Sequence, residues 1–171
     1  MPNWCSNRIS ITGEPQEIEA FIRATTTPEG VISACGMLTP RPTDEGDDFD
    51  WYSWSVDHWG TKWPDEMSIL DNFGDTLILL GDTAWAPPIA GYASASEKFP
   101  TLEFTMSWDE SGMCFMGAAS LKAGEVLGMY EIAGDEYPVC NWDDDDEIEK
   151  YQETVEALRD KCIEVVELIA R

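Results

Sequence analysis

Between Ile148 and Ile169 the residues Ile148, Tyr151, Val155, Leu158, Cys162, Val165 and Ile169 recur at alternating steps of 3 and 4. That spacing predicts one helix of about 33 Å with a single apolar stripe, since a turn takes 3.6 residues and each residue rises 1.5 Å. A helix of this kind is held by burial of its stripe, so the rest of the chain must form an apolar surface to receive it. At 100° per residue, Glu149, Glu153, Glu156, Asp160, Glu164 and Glu167 fall within an arc of about 80° on the far side, with Lys150, Arg159 and Lys161 on the flanks. The outer ridge is therefore all carboxylate. Glu149/Glu153, Glu156/Asp160 and Asp160/Glu164 are like-charge pairs at i,i+4, each destabilising by about 0.2–0.5 kcal/mol where mixed charges would stabilise. Solubility alone does not require that choice.

The preceding residues read as a sheet with short helices. Trp4 to Thr12 alternates Arg8 and Ser10 with Ile9 and Ile11, as a half-buried strand does. Pro15 suits a first helical position, and Ile18, Phe21 and Ile22 keep helical spacing until Thr25-Thr26-Thr27-Pro28. A short strand is expected near Met37, a solvated loop over Asp44 to Asp50, and a short helix over Phe49 to Trp59. Met67 to Phe73 and Thr76 to Thr83 are strand-like and meet at Gly74-Asp75; Pro87-Pro88 opens a helix through Lys98. Leu102, Phe104, Met106 and Trp108 share one face of a further strand, followed by strands over Met113 to Ser120 and Glu125 to Ile132. Strand, helix, strands, helix, strands is the order of an α+β domain whose antiparallel sheet carries helices on one face. Residues 1–140 are assigned to that domain and residues 141–171 to the acidic helix packed on it.

Met1-Pro2-Asn3-Trp4-Cys5-Ser6-Asn7-Arg8, Trp59-Gly60-Thr61-Lys62-Trp63, Asp82-Thr83-Ala84-Trp85-Ala86-Pro87-Pro88 and Glu110-Ser111-Gly112-Met113 through Gly117 resemble the YubB-like ferredoxin-fold proteins carried by phages and conjugative plasmids. The resemblance spans roughly residues 1 to 137 and leaves out the acidic helix. It implies a ferredoxin-like fold and a mobile-element origin, and it carries over no catalytic residue. The five cysteines are scattered with no CxxC pair, so neither a cluster nor a zinc knuckle is indicated, and no cofactor is expected.

Charge narrows the function classes. Against 34 Asp+Glu stand 10 Lys+Arg, a net charge of -24, which repels phosphate backbones and anionic lipid. Direct binding to nucleic acid or to a membrane surface is not expected. With no apolar signal core near Met1 and no stretch of about 20 apolar residues, a cytoplasmic location is expected. Asp143-Asp144-Asp145-Asp146 lacks the alternating ligands and bend glycine of a calcium loop and reads as a helix cap. His58, the single histidine, has no nucleophile motif beside it, so an enzyme built on it is a third reading and the chain is taken as non-enzymatic. The leading expectation is an acidic phage or plasmid protein that imitates the phosphate backbone and thereby inhibits a basic, nucleic-acid-binding host defence protein. Its partner-binding residues would be Glu149, Glu153, Glu156, Asp160, Glu164 and Glu167, with Asp44, Asp47 and Asp48 of the acidic loop. A homodimer through the C-terminal helix is a further expectation. The alternative expectation is a ligand-binding domain whose tryptophan-rich pocket uses Trp59, Trp63 and Trp85 with Lys62 and Asp82 as polar anchors.

Overall fold

The computed structural model describes residues 3–43, 46, 48–140 and 143–171. Strand β1 (Trp4–Thr12) leads into helix α1 (Pro15–Thr25), which begins at a proline whose missing N–H the first turn does not need. Helices α2 (Ala34–Leu38) and α3 (Trp51–Trp59) follow, then β2 (Ser68–Asn72), β3 (Thr76–Ala84), α4 (Ile89–Lys98), β4 (Glu103–Glu110), β5 (Phe115–Lys122) and β6 (Glu125–Ala133). A 3-10 turn at Gly134–Glu136 precedes the 25-residue helix α5 (Asp145–Ile169). Where a strand was expected near Met37 the chain forms α2 instead. Ser33 caps it through the Gly36 amide, and at five residues its apolar run is too short for periodicity to tell helix from strand.

The six strands form one antiparallel sheet in the order β2-β3-β1-β4-β5-β6. β1-α1-β2-β3-α4-β4 is the split βαβ arrangement of a ferredoxin-like domain, and the β5–β6 hairpin extends it beyond β4. At the β2–β3 hairpin the Phe73 amide donates to the Thr76 carbonyl, and Gly74 has φ +91°, a left-handed conformation that glycine adopts without a Cβ clash. Alternation along the strands sends Ile9, Ile11, Leu77, Leu79, Phe104 and Met106 to one face, against Ile18 and Phe21 of α1 and Tyr92 and Ala95 of α4. Phe21 meets Phe99 and Phe104 edge-on at 5.4 and 5.7 Å, and the fully buried Phe21 and Phe104 each stabilise the fold by about 1.5–3 kcal/mol. Helices α2 and α3 stack against α4 in the same layer.

Helix α5 lies on the opposite face. Met116, Ala118 and Ile132, the alternate residues of β5 and β6, bury with Val155, Cys162 and Val166 of the helix, flanked by Tyr151, Leu158 and Ile163. The stripe thus runs as expected through Leu158 and Cys162, then turns onto Ile163 and Val166, leaving Ile169 54% exposed. Gly128 of β6 allows the last turn to approach: a Cβ there would lie 3.0 Å from Ile169 Cγ2 and 3.2 Å from the Val166 carbonyl oxygen. At the other end the Tyr137 hydroxyl donates to Asp109 at 2.6 Å and lies 3.0 Å from the Tyr151 hydroxyl, joining helix to sheet. Because α5 covers β4, β5 and β6, the same face over β2, β3 and β1 stays open.

Candidate functional site

The acidic ridge of α5 points to solvent. Glu149, Glu153, Glu156, Asp160, Glu164 and Glu167 are all exposed, and from first to last they span about 27 Å of helix. Among the described residues two ion pairs occur, Glu19–Arg23 and Glu103–Lys122, and neither involves α5. No carboxylate of α5 therefore lies within ion-pair distance of Lys150, Arg159 or Lys161. Asp144 is its N-cap, accepting from the Asp146 amide at 3.0 Å and the Glu147 amide at 3.4 Å. The aspartate run begins the helix, where carboxylates also complement the positive end of its dipole. Among the described residues no group of three or more His, Cys, Asp or Glu is placed to hold a metal ion. Asp44 and Asp47 lie outside the described residues. Asp48 is exposed two residues before Asp50, the cap of α3, in the layer opposite α5.

The tryptophans divide into core and surface. Trp59, expected to line a pocket, is 2% exposed and donates from Nε1 to the Thr39 carbonyl at 2.9 Å; the α3 register turns it inward. Trp51, Trp63 and Trp85 surround Lys62, whose Nζ lies 6.0, 4.6 and 4.7 Å from their ring centroids. Tyr52 meets Trp85 edge-on at 6.1 Å. Trp85 holds φ +70°, a left-handed conformation that a bulky side chain rarely adopts, and its amide donates to the Asn3 carbonyl. On the open sheet face, Trp63 and Asp82 come together in a cleft of about 340 Å³ that Trp4, Pro64, Glu66, Thr83 and Ala84 complete. The β1–β3 register explains this meeting, since it sets Trp4 opposite Ala84 and Ser6 opposite Asp82. Trp4 and Glu66 were not singled out from the sequence. The available signal was parity: Trp4 shares the outward face of β1 with Ser6 and Arg8.

Two other polar clusters stand apart from this cleft. Further along the open face, a groove of about 460 Å³ runs between the end of α5 and the sheet, lined by Arg8, Ser10, Thr105, Ser107, Ser120 and Glu167 among others. In the core, Asp65 is fully buried and accepts from the amides of Ala34 and Cys35, the Ser33 hydroxyl and the Tyr92 hydroxyl at 2.8–3.2 Å. It ties the start of α2 to α4 and has every oxygen engaged. Burial, reinforced by the Asp65 charge, holds the Cys35 thiol and the Tyr92 phenol well above their ordinary ranges, so both stay protonated. His58 stacks on Trp54 at 4.2 Å, with Nδ1 2.8 Å from the Trp54 carbonyl oxygen, one turn back on the same helix.

A split βαβ sheet widened by a hairpin, with its added helix on the second face, places the chain among α+β proteins with a ferredoxin-like domain. Residues 58–158, more than half of the chain, match the family model described as the ferredoxin-like domain in Api92-like protein, and the chain belongs to that family. The match extends through the first half of α5, so the acidic helix is partly within the family's domain. A crystal structure of a protein api92 from Yersinia pseudotuberculosis is similar in fold, with a TM-score of 0.57 at 12% identity over 81% of this chain and 100% of that one. No curated protein matches the sequence. Among the described residues no helix is long and apolar enough to cross a membrane.

Proposed function

We propose that this chain is a non-enzymatic, cytoplasmic protein of phage or plasmid origin that binds a basic, nucleic-acid-binding host protein and blocks it by presenting carboxylates in place of phosphates. One observation carries the reading: α5 is anchored through its apolar side and holds six ridge carboxylates in solvent without an ion pair. A groove built for the phosphates of a nucleic acid has basic side chains in a row, and a ridge of about 27 Å with one carboxylate per turn can engage several of them. The mobile-element origin rests on the YubB-like motifs given above.

Changing Glu149, Glu153, Glu156, Asp160 and Glu164 to Gln tests the reading, because glutamine keeps the helix propensity while the like-charge pairs disappear. Thermal melts should show the variant as stable as the parent or more so. A pull-down of DNA- and RNA-binding proteins from host lysate should then lose the partner that the parent captures. Capture unchanged by the five substitutions removes α5 from the interface.

A further inference from the structure

The cleft between Trp4 and Trp63 is walled by two indoles whose centroids are 6.1 Å apart and inclined at 40°. Its charged lining residues are Glu66 and Asp82, both exposed, and among the described residues neither has an ion-pair partner. Aromatic faces attract cations through their quadrupole, and a carboxylate beside them adds a direct acceptor. The protein already uses this chemistry at two cations: the Arg41 guanidinium lies 5.0 and 5.1 Å from the Trp51 and Trp59 centroids, and Trp63 and Trp85 hold the Lys62 ammonium at 4.6 and 4.7 Å. Lys62 lies against the Trp63 ring, and Arg8 shares the outward face of β1 with Trp4, so an incoming cation must gain enough from Glu66 and Asp82 to outweigh their repulsion.

We infer that this cleft is a binding site for an arginine side chain of a basic protein partner. The guanidinium is planar and can lie against an indole face while its N–H groups donate in pairs to a carboxylate; an ammonium presents neither the plane nor the fork. A volume of about 340 Å³ accommodates the head group and part of its stem. The overall charge of -24 raises the local concentration of any basic segment near this face. The inference deepens the proposed function by naming a side chain that the basic partner would insert, and it rests on that reading for the partner's charge. It does not need the α5 ridge, because the cleft is built from β1, β3 and the segment before β2.

The experiment titrates the full chain with a short arginine-containing peptide and its lysine counterpart, following tryptophan fluorescence and amide chemical shifts at 150 mM salt. Saturable arginine binding in about the millimolar range is expected, weaker with lysine, with shifts centred on Trp4, Trp63 and Asp82. Trp4→Ala and Asp82→Asn, both at exposed positions, should each weaken it by about five- to tenfold while leaving the melting curve in place. The five-glutamine variant of α5 should keep the preference for arginine over lysine and the shifts at Trp4, Trp63 and Asp82, its lower net charge weakening both peptides alike, which separates this site from the ridge. Equal binding by both single variants, or equal affinity for the two peptides, shows that the peptide is merely attracted by net charge and overturns the inference. Loss of arginine binding in the five-glutamine variant alone would place the site on α5 and overturn it as well.

Discussion

Asp65 shows how one buried carboxylate can organise two helices. Four donors, three from the start of α2 and one from α4, converge on it, so removing the side chain leaves the Ala34 and Cys35 amides and two hydroxyls without their acceptor in the interior. Each orphaned buried donor costs about 1–3 kcal/mol. Asp65→Ala should therefore lower stability by about 3 kcal/mol or more in urea denaturation, whereas Tyr92→Phe, which removes one donor and leaves three, should cost about 1 kcal/mol. Comparable losses in the two variants would mean that the carboxylate does not centre the network. Buried thiols and phenols, two of them in this network, set an alkaline limit. Burial keeps the thiols of Cys5 and Cys35 and the phenols of Tyr92 and Tyr137 protonated above their ordinary ranges. A group whose folded pKa is raised contributes stability that is whole below its unfolded pKa and is lost as pH rises past it. The loss should begin near pH 8.5 for the thiols and steepen near pH 10 as the phenols join, at up to about 1.4 kcal/mol per pH unit per group. Denaturation midpoints measured from pH 7 to 11 check the onset. The Trp63–Asp82 pairing was half legible from residue type, because an exposed tryptophan and a carboxylate are recognisable candidates. Trp59 was misplaced because the choice between pocket and core depends on helix phase and not on composition.

At the scale of elements, period-2 alternation made the strands readable, and the helical steps of 3 and 4 did the same for α1 and α5. The α5 stripe demanded a burial surface, yet nothing in its spacing told which face of the sheet would take it. That followed only from Met116 and Ala118, whose parity on β5 opposes that of Ala119 and Leu121. The cleft was hidden for a similar reason: Trp4 and Asp82 are far apart in the chain, and a register of two strands brings them to one face. Gly128 is the element-scale determinant of α5 docking, since the last turn rests where a Cβ would press on Ile169 and the Val166 carbonyl. Gly128→Val should push that turn away from β6 and cost about 1–3 kcal/mol, as overpacking does. Hydrogen exchange is expected to rise for residues 163–169 and to change little in the Tyr151 to Leu158 segment, which the Tyr137 clasp holds. Uniform protection along α5 in the variant would show that the close contact does not position the helix.

For the molecule as a whole, charge acts on folding and on association with opposite sign. A folded chain of this length has a radius of gyration of about 15 Å and an unfolded one about 44 Å, so unfolding moves like charges apart. With 34 acidic against 10 basic residues, repulsion dominates the folded surface, and the two ion pairs among the described residues offer little attraction for salt to weaken. The Debye length shrinks from about 30 Å at 0.01 M salt, which reaches across the molecule, to about 8 Å at 0.15 M, which does not. Sodium chloride raised over that range should therefore increase the melting temperature of the isolated chain. A complex with a basic partner should respond the other way, losing affinity between about 50 and 200 mM as long-range attraction is screened. Two titrations with the same salt thus read the same carboxylates in two roles. A melting temperature that falls with salt would show that unrecognised attractive pairs hold the fold, and a partner affinity that ignores salt would show that the acidic surface does not make the contact.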